Sequence, residues 1–289
     1  MLNALSNATD VSTSADGLAD SPEPRPLFFT RPTGTLPVSL TGTACALDCA
    51  HCGGHYLAHM RSIAEADAIG YRSLLISGGC DTFGCVPITT GLAHVERLRP
   101  GRRLNWHVGF STRADLEHIA PLVDVISFDI VGDRATAQEV YGLDVGLDDY
   151  LRQLALLGVI APVVPHLTLG LRAGRISGEL AALEALAAVQ PERLILLILI
   201  PTPGTRYATV PPPALTQIAD LFTLARHLLP QTQLILGCMR PHGRYRQQVD
   251  RLAIESGLDG LVNPSRCAEE LAAVQGRPVI WGDECCALP

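Results

Sequence analysis

The sequence predicts an α/β protein, a parallel (β/α)8 TIM-type barrel, with a partial (β/α)6 barrel as the alternative. Two observations carry that class. From about residue 36 onward, short apolar runs alternate with longer segments of helical spacing, as strand–helix units of a parallel sheet do. The composition is 47% apolar and only 18% charged, which leaves ample material for a buried core. Ordinary domains carry roughly 25% charged residues.

The elements follow in order. Strands are expected at Leu36–Leu40, Ser73–Ile76, Leu104–Phe110, Asp124–Ile130, Pro162–Leu169, Arg193–Ile200, Gln233–Leu236 and Leu258–Val262. Each is a short run rich in Leu, Ile and Val beside turn-forming residues. Helical spacing marks Tyr56–Ile69, Ile88–Leu98, Leu147–Leu157, Ser177–Val189 and Pro213–Leu229. Pro213 suits a first helical turn, where its missing N–H costs nothing. Residues 1–30, rich in Ser, Ala, Asp and Pro, read as a flexible, disordered leader before a barrel domain over 31–289 that ends in a cysteine tail.

Composition excludes several functions. The net charge of −7 lacks the basic footprint of a nucleic-acid binder. All 22 basic residues are arginine, so lysine Schiff bases, pyridoxal-phosphate anchoring and Walker-type phosphate loops are ruled out. The longest aliphatic run, Leu194–Ile200, is far too short for a membrane span. The first 25 residues have no apolar core and Arg25 as their only basic residue, unlike a secretory signal. The expected location is the reducing cytoplasm, where cysteines bind metals or do chemistry more often than they form disulfides.

Barrel active sites lie at the C-terminal ends of the strands. There the sequence concentrates cysteines and glycines. Cys45, Cys49 and Cys52 follow the first expected strand with three and then two residues between them. Three soft thiolates on one loop can wrap zinc, copper(I) or an iron–sulfur cluster. His55 is available as a fourth zinc ligand. Incidental buried cysteines are the remaining alternative.

This spacing after the first barrel strand resembles the radical S-adenosylmethionine superfamily. The resemblance implies that Cys45, Cys49 and Cys52 hold a [4Fe–4S] cluster whose open iron is chelated by S-adenosylmethionine. One electron from the cluster then frees a 5′-deoxyadenosyl radical. It further implies cofactor contacts at His51, which fills the usual aromatic place, at Ser77-Gly78-Gly79, and at Pro201 and Gly204 of the run Ile200–Thr205. The acidic residue that usually follows the glycine pair is absent; Cys80 stands there. Asp129 is assigned to ribose hydroxyls and Arg240 to the cofactor carboxylate.

Six cysteines lie outside the first cluster. Cys80, Cys85, Cys238 and one of Cys285 and Cys286 would suffice for an auxiliary [4Fe–4S] cluster on the same rim. Cys267 reads as a core residue. The segments around Cys52–Tyr56, Ser77–Pro87, Ser127–Asp133, Gly237–Arg246 and the tail Glu284–Leu288 resemble the biotin-synthase-like branch that forms the two-protein (split) lipoyl synthase. That resemblance implies a sulfur-inserting enzyme acting at C6 or C8 of an octanoyl or mercaptooctanoyl chain, with the auxiliary cluster as sacrificial sulfur donor. Its implied partners are a lipoyl-domain or glycine-cleavage carrier protein bearing an octanoyl-type lysine, a companion radical protein, and an electron donor such as ferredoxin or flavodoxin. A one-cluster enzyme acting on a small molecule, or a zinc-stabilised binding barrel, are the alternatives. Radical chemistry on an alkyl chain calls for a dry interior, and the Leu, Ile and Val of the strands are expected to wall it. His107 or its neighbour Trp106 faces that interior. Asp133 is expected either to cap a helix or to meet a ligand.

Overall fold

The computed structural model describes residues 25–288. Residues 1–24, where most of the expected leader falls, lie outside them. The leader's boundary moves, because Leu27–Thr30 forms a strand, β1. Next come β2 (Thr35–Ser39), a 3-10 turn (His55–His59), β3 (Arg61–Ser62), β4 (Ser73–Ser77), α1 (Leu92–Leu98) and β5 (Arg103–His107). They are followed by α2 (Arg113–Ile119), β6 (Val125–Ile130), α3 (Arg134–Tyr141), α4 (Leu147–Gly158), β7 (Val163–Leu169) and α5 (Glu179–Val189). The chain ends with β8 (Arg193–Ile198), α6 (Leu215–Leu228), β9 (Gln233–Leu236), α7 (Gly243–Glu255), β10 (Gly260–Val262), α8 (Arg266–Val274) and β11 (Val279–Gly282).

All eight expected strands form, and they pair in parallel in sequence order from β2 through β4 to β10. The sheet has 11 strands and stays open, with β3 at one edge and β11 at the other. The full eightfold barrel is therefore not formed; the partial barrel is. The reason lies in the free edge of β10. Closure needs that edge to reach β2, but β1 takes it and β11 then pairs β1. The seam is stitched without a ladder: Gly34 N–H donates to the Asp283 carbonyl at 2.7 Å, and Arg72 pairs the Asp283 carboxylate.

Two helical expectations change. Tyr56–Ile69 becomes the short 3-10 turn and then β3, because Ser39 and Ser62 share a register in the sheet. Pro213 precedes α6, whose N-cap is Ala214, since a run of three prolines holds the chain extended there.

The period-two alternation of the strands divides the core. Leu104 and Trp106, Ile126 and Phe128, Leu194 and Leu196 face outward under the helices, in one large apolar layer. The inward face is mixed. Asn105, His107, Ser127, Asp129 and His166 share it by register. Only a smaller inner cluster is apolar: Val125, Val164, Ile195, Ile235 and Val262, joined by Ala287 and Leu288 of the tail. The expected uniformly dry wall is thus corrected; most of the large aliphatic side chains belong to the helix-facing layer.

Arg240 is wholly buried just after β9 and ties the end of that strand to α7. Its Nε donates to Asp250 at 2.7 Å, and two further nitrogens donate to the Gly237 and Asn263 carbonyls. Asp250 also accepts from the Ser265 N–H at 2.7 Å. Removing one member of a buried pair strands the other charge, at about 3–5 kcal/mol. Asp250→Ala is expected to lose that much stability, read as a lowered midpoint in denaturant unfolding, whereas Arg251→Ala on the exposed face of α7 changes it by less than about 0.5 kcal/mol.

Candidate functional site

The upper mouth of the half-barrel is built where the loop after β2 crosses the turn after β4. Gly79 makes the crossing possible. A Cβ there would strike the Ala44 carbonyl and stand 2.6 Å from the Cys45 Cα. Only glycine permits this backbone approach. The crossing is locked by the Thr41 hydroxyl, which accepts from Gly79 N–H at 2.7 Å and donates to the Ala44 carbonyl at 2.8 Å. Ala46 N–H then donates to the Cys80 carbonyl at 2.7 Å. Ser77 donates to the His107 carbonyl at 2.9 Å, and Gly78 lies against Thr41.

The loop after β8 closes the other side. Thr202 shares a hydrogen bond of 3.0 Å with the Tyr56 hydroxyl, and Tyr207 N–H donates to the Ala50 carbonyl at 2.9 Å. Gly204, at φ +83°, lies against the His55 ring. The structure therefore brings together Cys45, Cys49, Cys52, His51, Ser77, Gly78, Gly79 and the Pro201–Thr205 run.

Cys49 and Cys80 line one cavity of about 110 Å³, shared with His107, Asp129, Phe110, Phe128 and Tyr141. Burial pushes the Cys49 thiol up to about 12, with Cys52 and Cys45 adding to the effect. Burial likewise pushes Cys80 up to about 12, and Cys45 and Cys49 are its nearest like-charged neighbours. Crowded thiols of this kind ionise when a cation shares the site. Among the described residues, no three His, Cys, Asp or Glu side chains converge tightly enough to grip a single ion. The His51 Nδ1 is buried without a hydrogen-bond partner, and burial holds its ring neutral, at about 4. An all-thiol set, a glycine crossing and an orphaned ring nitrogen beside it fit a cluster and a polar organic ligand.

Below this mouth Asp129 meets His107 at 3.2 Å. His107 stacks on His166 at 5.7 Å between ring centroids. Asp129 keeps 44% of its side-chain surface and His107 33%, although strands surround both, so they border an internal hollow. Burial alone would raise Asp129 and lower His107. Their attraction wins, leaving Asp129 at about 2 and His107 above its ordinary value. His166 is lowered by burial to about 4, and its Nδ1–H donates to the Val164 carbonyl at 3.0 Å. Asp133 caps α3, accepting from Thr136 N–H at 2.7 Å, the structural of its two expected roles.

The remaining cysteines separate into two places. Cys80 and Cys85 stay at the upper mouth, where Cys85 bridges to Gly109. The tail enters the hollow from the opposite end. Glu284 pairs Arg103 at the start of β5, and Cys285 N–H donates to Thr35 at the start of β2. Arg193, at the start of β8, donates to the Cys286 carbonyl at 2.9 Å. Ala287 and Leu288 fill the inner apolar cluster. The Asn105 amide donates to the Cys285 sulfur at 3.4 Å and accepts from Ser127 at 3.0 Å. Cys238 stands near enough for its charge and that of Cys285 to be coupled. One shared rim for Cys80, Cys85, Cys238 and the tail pair is thus corrected: the tail is anchored by residues at the strands' N-terminal ends. Cys267 bonds to Ser265 and the Gln247 carbonyl, away from both sets. Arg240 has every named donor committed to its own shell and no exposed surface to offer a cofactor. Sequence reasoning missed the Asn105–Cys285 contact and the His107–Asp129 pairing.

The chain matches no protein-family model and no curated protein. Its fold does match solved structures. Against the FeFe-hydrogenase maturase HydG from Carboxydothermus hydrogenoformans the TM-score is 0.61 at 16% identity, over 88% of this chain and 67% of that one. Against methylornithine synthase (PylB) it is 0.58 at 10% identity, over 89% and 84%. Against SuiB of Streptococcus suis, solved with its precursor peptide SuiA, it is 0.50 at 12% identity, over 86% and 51%. At these identities the common property is the fold.

The Asp129–His107 attraction has a defined pH window. His107, raised above 6.5, contributes fully below that value and stops contributing as pH rises through its folded value. Asp129, lowered from 3.8, contributes above that value and stops as pH falls through about 2. The pair is therefore worth most between about pH 4 and 6.5, and its partial exposure weakens it. In an NMR titration of the metal-free chain, His107 is expected to titrate above 6.5. In Asp129→Asn it should fall below 6.5, because burial, the largest effect on the ring, is then opposed only by the weaker pull of Cys285. An unchanged midpoint removes the pairing.

Proposed function

We propose that this chain is a radical S-adenosylmethionine enzyme. The observation that carries it is the set of Cys45, Cys49 and Cys52 on the loop that crosses Gly79 at the upper mouth. The fold it shares with the maturase and methylornithine synthase supports the reading. When bound, the [4Fe–4S] cluster and cofactor supply a 5′-deoxyadenosyl radical. The chain's own residues orient and enclose. Cys45, Cys49 and Cys52 hold the cluster. His51 offers its unpartnered nitrogen to the cofactor, and the Gly78–Gly79 and Pro201–Gly204 turns border it. Asp129, ionised at neutral pH, accepts ligand hydroxyls from the hollow.

We further propose sulfur insertion, at C6 or C8 of a protein-bound octanoyl or mercaptooctanoyl chain, as the reaction. What supports it is the second group of thiols, Cys238, Cys285 and Cys286, which stand near enough for their charges to be coupled. These three would hold the auxiliary [4Fe–4S] cluster as sulfur donor. The partners of such a reaction are a lipoyl-domain or glycine-cleavage carrier, a companion radical protein and a ferredoxin- or flavodoxin-type reductant. One observation favours a second reading, a one-cluster enzyme with a polar small-molecule substrate. The hollow presents Asn105, His107, Ser127 and His166.

Iron and sulfide counts on anaerobically prepared chain separate the readings. Sulfur insertion predicts about eight irons, falling to about four in the Cys45/Cys49/Cys52→Ala variant and to about four in Cys238/Cys285/Cys286→Ala. About four irons, lost entirely in the first variant and kept in the second, leaves the radical enzyme and removes the sacrificial cluster.

A further inference from the structure

Cys80 is a thiol that neither proposed cluster uses. It occupies the place after the glycine pair and is fixed there by three constraints. Gly79, its chain neighbour, passes within van der Waals reach of the Cys45 backbone. The Ala46 N–H holds the Cys80 carbonyl at 2.7 Å. Its side chain shares the cavity of Cys49 and packs against the core rather than against the tail. Its neighbouring thiols are Cys45, Cys49 and Cys85, while the tail pair has Cys238 as its neighbour. The segment that carries Cys80 and the segment that carries the three cluster cysteines are thus held together by backbone contacts.

A [4Fe–4S] cluster has four irons, and each takes an outer ligand. Cys45, Cys49 and Cys52 provide three. We propose that Cys80 supplies the fourth thiolate when no cofactor is bound, capping the iron that the amino acid end of the cofactor later takes. The inference rests on the radical-enzyme reading above. The exchange is balanced without any redox change. The Cys80 sulfur–iron bond breaks as the nitrogen–iron bond forms, and the proton lost by the incoming ammonium is taken up by the departing thiolate. The device keeps that iron ligated in the cofactor-free protein, and it imposes a competition on cofactor binding.

That competition is measurable. If the capped form is about nine-tenths of the resting protein, the apparent cofactor affinity is about tenfold weaker than the intrinsic one. Three forms of the anaerobically reconstituted full chain are compared: wild type, Cys80→Ala and Cys85→Ala. Iron is counted, the dithionite-reduced cluster is examined by electron paramagnetic resonance without S-adenosylmethionine, and the affinity for S-adenosylmethionine is measured by equilibrium dialysis. The expected result for Cys80→Ala is an unchanged iron count, an altered cofactor-free spectrum and binding about tenfold tighter. Cys85→Ala should match wild type in all three. A loss of about four irons in Cys80→Ala would mean that Cys80 belongs to a separate cluster, and overturns the proposal. Unchanged spectrum and affinity overturn it too. Cys80→Ser, closer in size, repeats the comparison if the alanine variant misfolds. Failure of the underlying reading looks different: the Cys45/Cys49/Cys52→Ala variant would then keep all its iron.

Discussion

The backbone crossing at Gly79 is the constraint on which the upper mouth depends. Without it the Cys45 loop would stand off from the end of β4, and the thiols of two separate segments would not border one cavity. The Thr41 hydroxyl fixes the crossing from both sides, so one side chain serves as acceptor for one segment and donor for the other. The sequence assigns the glycine pair to contact with a cofactor. The structure gives Gly79 a second reason to be glycine, the passage of protein backbone.

The open seam of the sheet explains the tail. A closed barrel seals its lower end with side-chain layers from all its strands. Here β1 and β11 occupy the edge that closure would use, and the sheet lacks the final ladder. The tail substitutes for it. It ties Gly34, Thr35, Arg103 and Arg193, which begin or precede strands far apart in the sheet, and seats Ala287 and Leu288 among the inner apolar residues. Stitching the seam and stoppering the hollow are thus done by one segment.

The eight central strands were legible because each is a short apolar run beside turn residues, and parallel strands buried on both faces have that appearance. The edge strands were not. β1 follows a proline-rich stretch and β3 spans two residues, too few for any period. The stretch from Tyr56 to Ile69 has helical spacing, yet pairing of Ser62 beside Ser39 overrides it. For the site, the three clustered cysteines and the glycine turn were legible from spacing and from their place after strands. The tail's position was not, because the contacts that set it join residues about 180 apart, such as Arg103 with Glu284 and Asn105 with Cys285. His107 and Asp129 were each singled out, but their pairing depends on the register of β5 with β6 and could not be read one residue at a time.

The two thiol sets differ in how they bear charge. At the upper mouth, burial and mutual repulsion push Cys49 and Cys80 up, and the nearby carboxylate Asp48 adds to the cost at Cys49. These effects outweigh the backbone hydrogen bonds that favour a thiolate at Cys49 and Cys52, so assembly at that site is driven by the metal. At the lower set the protein itself provides donors. Cys286, the Ala287 N–H and the Asn105 amide all point at the Cys285 sulfur, and together they hold it below its ordinary value. The neighbouring Cys286 is raised in turn, first because its thiol donates to Cys285, then by burial and by the nearby negative charge. The two thiol sets are thus prepared by opposite electrostatic means: burial and repulsion dominate at the mouth, and converging donors favour the charged form of Cys285 in the tail.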